Sequence, residues 1–165
     1  MNEVNAIEVQ HLEKGYKDVP VLHDVSFEVR RGSVFALLGA NGSGKTTTIN
    51  VLNTLIKADG GNATVGGFDV ATQPDRVREV ISVTGQSAAV DYMLTARENL
   101  VLMGELRHIS DPQGVASSLL DKFDLMEAAD RRLLTFSGGM GRRLDIAMSL
   151  VGEAPIIFFD EPTTG

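Results

Sequence analysis

Gly39-Ala40-Asn41-Gly42-Ser43-Gly44-Lys45-Thr46 is the stretch that decides the fold. It fits the pattern G-x-x-x-x-G-K-[ST], a phosphate-binding loop when a strand precedes it and a helix follows. Val34-Phe35-Ala36-Leu37-Leu38 before it reads as a buried strand. After it, Thr46 to Leu52 carries apolar residues at helical spacing that continue through Leu55 and Ile56. Gly42, Ser43 and Gly44 let consecutive backbone N–H groups turn toward phosphate oxygens, an approach that a side chain at a glycine position would block. The helix adds the positive end of its dipole. Lys45 brings a point charge to β- and γ-phosphates, and the Thr46 hydroxyl suits Mg²⁺, which prefers hard oxygen ligands. The plain alternative is a glycine-rich turn with an exposed lysine, which leaves the flanking strand and helix unexplained.

Composition narrows the classes. A chain of 165 residues, 43% hydrophobic and 22% charged, can bury a core of its own. The net charge of −7 argues against broad binding of nucleic acid or anionic membrane. With no cysteine, disulfides and thiolate metal sites are excluded. Met1-Asn2-Glu3 opens without a basic or apolar leader pattern, so no signal peptide is expected. The longest apolar runs are about five residues against the roughly 20 of a membrane span, so any membrane role is expected to come through a partner.

The chain divides into three regions without an internal repeat. The first is strand-rich. Val25-Ser26-Phe27-Glu28-Val29 alternates apolar and polar residues, and Asp59-Gly60-Gly61 and Gly66-Gly67 flank a short strand at Ala63-Thr64-Val65. The second, from about Gln86 to Leu134, is mostly helical. Thr95-Ala96-Arg97-Glu98 is a capping box that predicts a helix from Ala96 to about Arg107. Asp111-Pro112 reads as a cap and first-turn proline, opening a helix through Leu119, Leu120 and Phe123. In the third region Pro155-Ile156-Ile157-Phe158-Phe159 has the continuous apolar character of a parallel strand buried on both faces, and it ends in Asp160-Glu161.

Two adjacent carboxylates at the end of a buried strand are costly unless something offsets their charge. A Mg²⁺ ion and an attacking water do so: Asp160 would hold the metal through its water shell, and Glu161 would orient and deprotonate the water. The alternative is a pair of solvated loop acids. Phe136-Ser137-Gly138-Gly139-Met140 precedes a helix with apolar positions at Leu144, Ile146, Ala147, Leu150 and Val151. Ser-Gly-Gly at a helix start aims a hydroxyl, free N–H groups and a dipole one way, so it is a second anion-binding device. Two such devices in one chain suggest two chains sandwiching each nucleotide. Spacing alone favours the plainer reading, a flexible linker with a serine cap.

Taken together, these motifs resemble the ATP-binding cassette (ABC) ATPase family in order and spacing over the whole chain. The phosphate loop is Gly39–Thr46, the signature motif Ser137-Gly138-Gly139, and the second acidic motif Ile156 to Gly165. The resemblance implies an α/β P-loop NTPase fold with an N-terminal antiparallel β region and a helical subdomain. It divides the single domain into a β-rich nucleotide-binding core (1–85), the helical subdomain (86–135), and the signature helix with the acidic strand (136–165). It implies ATP and Mg²⁺ as ligands. Gly39, Asn41, Gly42, Ser43, Gly44, Lys45, Thr46 and Thr47 would form the nucleotide cradle, and Tyr16 would stack on adenine. The glutamine loop maps to Val83-Thr84-Gly85-Gln86, where Gln86 would sense Mg²⁺ and the γ-phosphate. Thr46, Gln86 and Asp160 would then set the metal, while Glu161, Lys45 and Gln86 would carry catalysis. Ser137, Gly138 and Gly139 would complete the site of a second, identical subunit.

Gln86-Ser87-Ala88-Ala89-Val90-Asp91, Leu94-Thr95-Ala96-Arg97-Glu98-Asn99-Leu100 and the signature segment through Arg142-Arg143-Leu144-Asp145 further resemble daunorubicin/doxorubicin-resistance exporter ATPases. That resemblance implies a separate permease chain, a location on the cytoplasmic face of the membrane through that permease, and no nucleic-acid partner. Two departures stand out. Gly141 occupies a position that is usually basic. The chain also stops at Gly165, where the family continues into a further loop, a strand and a switch histidine; it therefore reads as the front part of a cassette. The missing strand would lie between Val34–Leu38 and Ile156–Phe159. His11, His23 and His108 do not match the switch position and read as surface or half-buried residues. A GTPase is excluded by the lack of an Asn-Lys-x-Asp motif; a non-transport cassette, of the translation or DNA-repair type, shares the ATP motifs and is the rival reading.

Overall fold

The computed structural model describes residues 5–17, 19–84 and 90–159. The chain forms two compact units, 1–81 and 82–165.

In the first unit, β1 (Asn5–Tyr16) and β2 (Val19–Arg30) form an antiparallel hairpin. β1 also pairs antiparallel with β3 (Gly60–Val65), and β3 pairs with the short β4 (Phe68–Asp69), giving the order β2-β1-β3-β4. The buried side chains of β1 switch parity along the strand. Ile7 and Val9 are buried, then Leu12. His11 sits between them at φ 52, where the register slips by one residue. Asp24, at φ 51, makes the matching irregularity on β2, and His11 Nδ1 meets Asp24 Oδ1 at 2.5 Å. Without these bulges a strict two-residue period would turn Leu12 to the other face. Gly61 on β3 lies opposite: a Cβ there would fall 2.1 Å from the His11 carbonyl oxygen.

α1 (Lys45–Leu52) touches β2 and β3, and α2 (Pro74–Val80) touches β4. α1 ends sooner than its apolar spacing predicts. Thr54 takes a left-handed φ of 62, and Leu55 is exposed rather than continuing the buried stripe.

The larger correction concerns Val34–Leu38. The segment precedes the loop as expected but forms no strand. Val34 is 102% and Leu38 87% exposed. A strand is held by ladder hydrogen bonds to a neighbour, and no described strand pairs with this segment. Phe35 is its described aromatic anchor, stacked on Phe27 of β2 at 5.1 Å.

The second unit is helical around one core. α3 (Ala96–Leu106), α4 (Pro112–Lys122) and α5 (Gly138–Ser149) bury Leu100, Ala116, Leu120, Leu144 and Ala147 together. The capping box of α3 forms as the sequence predicts: Thr95 Oγ1 accepts from Glu98 N–H, and Glu98 Oε2 accepts from Thr95 N–H at 2.7 Å. Asp111 caps α4 through the Gly114 N–H at 2.9 Å, with Pro112 in the first turn. β5 (Ile81–Thr84) and β6 (Ile156–Phe159) form a two-stranded sheet, tied further by Thr84 Oγ1 donating to Phe158 O. β6 is not buried on both faces. Phe158 is buried, Ile156 and Ile157 half-buried, and Phe159 exposed, because two strands cover only part of each face. The described residues include no helix long and apolar enough to cross a membrane.

Candidate functional site

The loop Gly39–Thr46 follows the 34–38 segment and runs into α1. Its backbone is a tight coil. Gly42 takes φ 81 and Gly44 φ 89, left-handed values that a side chain resists. Gly44 faces a second restriction, since a Cβ would lie 2.5 Å from Leu22 Cδ2 and 3.1 Å from the Val21 carbonyl oxygen. β2 therefore abuts the loop directly, and glycine is needed for both conformation and space. At Gly39 a Cβ would meet Ser43 Oγ at 2.5 Å, so the turn closes on itself there as well.

Gly44 is the N-cap of α1 and lends no side chain to it. The first turn carries no acidic residue. The N–H groups that open a helix lack intrahelical partners, so this end keeps its donors and partial positive charge for an anion. Thr48 is anchored, its N–H and Oγ1 both donating to Gly44 O at 2.8 and 3.0 Å. Thr46 is exposed and Thr47 half-buried in the same turn. Lys45 folds back over the loop, and its Nζ donates to Gly39 O at 2.8 Å and Ala40 O at 2.9 Å. The ammonium is thus held above the turn by carbonyls, and its third donor is left over for a ligand. Asn41 is exposed on the same turn.

Tyr16 ends β1, paired with Val19 across the hairpin mouth, and its ring is about half exposed. Lys14 Nζ stands 5.7 Å from the ring centroid. The hairpin that carries Tyr16 also supplies Val21 and Leu22, the residues against Gly44, so Tyr16 and the Gly39–Thr46 loop share one framework.

The signature residues lie in the second unit. Ser137 is the N-cap of α5, its Oγ accepting from Met140 N–H at 3.3 Å. The expected serine cap is thus present, and it opens a regular helix. Ser137, Gly138 and Gly139 are all exposed, and a Cβ on either glycine would meet nothing within 4 Å. Nothing among the described residues requires glycine there; the open backbone suits close approach by something else.

Gln86, Asp160 and Glu161 fall outside the described residues, although β5 and β6, the strands that lead to them, are formed. Among the described residues no three His, Asp or Glu side chains converge as a metal site. Among the described residues, the exposed Thr46 hydroxyl at the start of α1 is a hard oxygen donor of the kind that suits Mg²⁺. The three histidines are exposed, as expected of residues outside the site.

Sequence reading passed over Asp59, taken only as part of a turn. Its carboxylate accepts from Lys14 Nζ at 2.7 Å and from Gly15 N–H at 2.8 Å. These two donors hold its carboxyl below the usual range. Partners 44 and 45 residues away leave no local signal.

This loop, helix and hairpin have the arrangement of a P-loop cassette. A family model described as ABC transporter matches residues 22–164, and the chain belongs to that family. It is 50% identical over 162 residues to the daunorubicin/doxorubicin resistance ATP-binding protein DrrA of Streptomyces peucetius, covering 97% of this chain and 49% of that protein. It is 47% identical to the doxorubicin resistance ATP-binding protein DrrA of Mycobacterium tuberculosis (strain ATCC 25618 / H37Rv), covering 99% of this chain and 51% of that protein. The chain spans about half the length of the curated relatives it matches. Among solved structures it resembles an ATP-binding subunit of an ABC transporter at a TM-score of 0.82 and 31% identity, over 96% of this chain and 67% of that one. It also resembles MJ1267, an ATP-binding cassette of an ABC transporter, at a TM-score of 0.87 and 26% identity, over 98% of this chain and 71% of that one.

Proposed function

We propose that the protein is the ATP-binding and ATP-hydrolysing subunit of an ABC exporter of the drug-efflux type. The observation that carries this is the loop itself: Lys45 poised over a coil of forced glycines at the start of α1. The amides of Gly42 to Thr46 and the Lys45 ammonium bind the β- and γ-phosphates, and Tyr16 stacks on the base. Thr46, Gln86 and Asp160 hold Mg²⁺, which supplies neutralisation of the phosphate charge. Glu161 accepts a proton from the attacking water, and Gln86 helps to orient that water. Ser137 to Gly139 of a second copy close over the nucleotide, so hydrolysis requires dimerisation; their exposure and open backbone support this. A separate permease chain, approached from the cytoplasmic face, carries the substrate path. Drug efflux rests on the likeness to the two resistance proteins.

Glu161→Gln tests the mechanism. The amide keeps the shape but cannot take the proton, so ATP should bind as before while phosphate release falls by about 10²–10⁴. Wild-type turnover in this variant would place the base elsewhere.

A further inference from the structure

Tyr16 stands at the exposed end of a hairpin, where a ring is free to swing unless something fixes it. Asp59, immediately before β3, provides the fixing contacts. Its N–H donates to Glu13 O at 2.9 Å, at the point where β1 pairs with β3 through Glu13 and Gly60. Its carboxylate then spans the next two residues of β1, taking the Lys14 ammonium on one oxygen and the Gly15 N–H on the other. Three consecutive residues before Tyr16 are therefore tied to one aspartate. The Lys14 side chain is only 15% exposed, so its ammonium is held rather than loose in solvent, and it is this ammonium that stands over the Tyr16 ring. A cation on one face of an aromatic ring is attracted to it and leaves the other face for a second flat group. An open cleft of about 320 Å³ adjoins the clamp, lined by Lys14, Gly15, Asp59 and Leu22 among others, and Leu22 is also the residue packed against Gly44 of the phosphate loop.

We infer that Asp59 is a positioning residue for nucleotide binding: with Lys14 it locks the Gly15–Tyr16 backbone and fixes the Tyr16 ring for stacking on the base. The inference rests on the reading of Tyr16 as the base-stacking residue. It separates base from phosphate recognition. Asp59 acts through Tyr16 and so favours ligands that carry a base; the loop at Gly39–Thr46 handles phosphate without it.

The test measures Kd for MgATP and for inorganic tripolyphosphate with Mg²⁺, in the wild-type protein, Asp59→Ala, Tyr16→Ala and the double variant. Asp59→Ala should weaken ATP binding by about three- to tenfold, the scale of one cation–π contact with one ordering hydrogen bond. Tripolyphosphate binding should not change, and in the Tyr16→Ala background Asp59→Ala should add nothing. Asp59→Asn serves where the alanine variant does not fold: it keeps the size and the Gly15 contact, removes the charge facing Lys14, and should give a smaller loss for ATP alone. An equal loss for tripolyphosphate, or a loss that persists without Tyr16, would show a general structural role and overturn the inference. ATP binding at wild-type strength in the Asp59 variants, with Tyr16→Ala impaired, would overturn the role of Asp59 and leave the stacking intact. Undiminished ATP binding in Tyr16→Ala would overturn both.

Discussion

Gly44 carries two constraints that act on the same residue. Its φ of 89 disfavours any side chain, and a Cβ would collide with Leu22 and crowd the Val21 carbonyl. Gly44→Ala should therefore cost about 1–3 kcal/mol of stability, and it should also pull the start of α1 away from β2, weakening ATP binding. Thermal unfolding together with ATP titration checks both effects; an alanine variant that is as stable and binds as tightly would mean that the loop is not held against β2. Positions of this kind were legible in the sequence, because a run of glycines before Lys-Thr has few uses other than a backbone that approaches phosphate. Asp59 was not legible. Its importance comes from Lys14 and Gly15, which the antiparallel pairing of β1 and β3 brings to it.

Helices signalled by their own caps were read correctly, since caps are local chemistry. The α3 capping box illustrates this and gives a pH-dependent prediction. The Thr95 backbone N–H, then the Thr95 side chain, hold the Glu98 carboxyl below its usual 4.5. A folded-state value below the unfolded one means that the carboxylate stabilises the fold above about pH 4.5 and that this contribution disappears as pH falls through the lower folded-state value. Glu98→Ala should thus reduce stability at pH 7 and have a fading effect in strong acid, as read from denaturant unfolding across that range. Thr95→Ala removes the cap itself and should cost about 1 kcal/mol at neutral pH. Strands were harder. Val34–Leu38 and Ile156–Phe159 have equally apolar sequences, yet one forms no ladder and the other pairs with β5. Apolar character supplies the tendency to be extended, whereas a strand also needs a neighbour, which is a property of distant chain. α2 and β5 were missed for a related reason: at 7 and 4 residues they are too short to show a period.

Across the whole chain, the order of motifs alone points to the class: loop, helical region, Ser-Gly-Gly cap, then an apolar strand into Asp-Glu. The structure adds the glycine-forced coil, the poised lysine and the shared hairpin framework for Tyr16, and family membership follows from the match over residues 22–164. It also leaves Val34 and Leu38 exposed beside the loop. The central claim is that the Gly39–Thr46 coil binds nucleotide phosphates with Lys45 as its cation. Calorimetric titration of MgATP into the wild-type protein and Lys45→Ala tests it most directly. Loss of the charge-assisted contacts should weaken binding by at least about 2–3 kcal/mol while leaving unfolding cooperative. Equal affinities in the two proteins would contradict it.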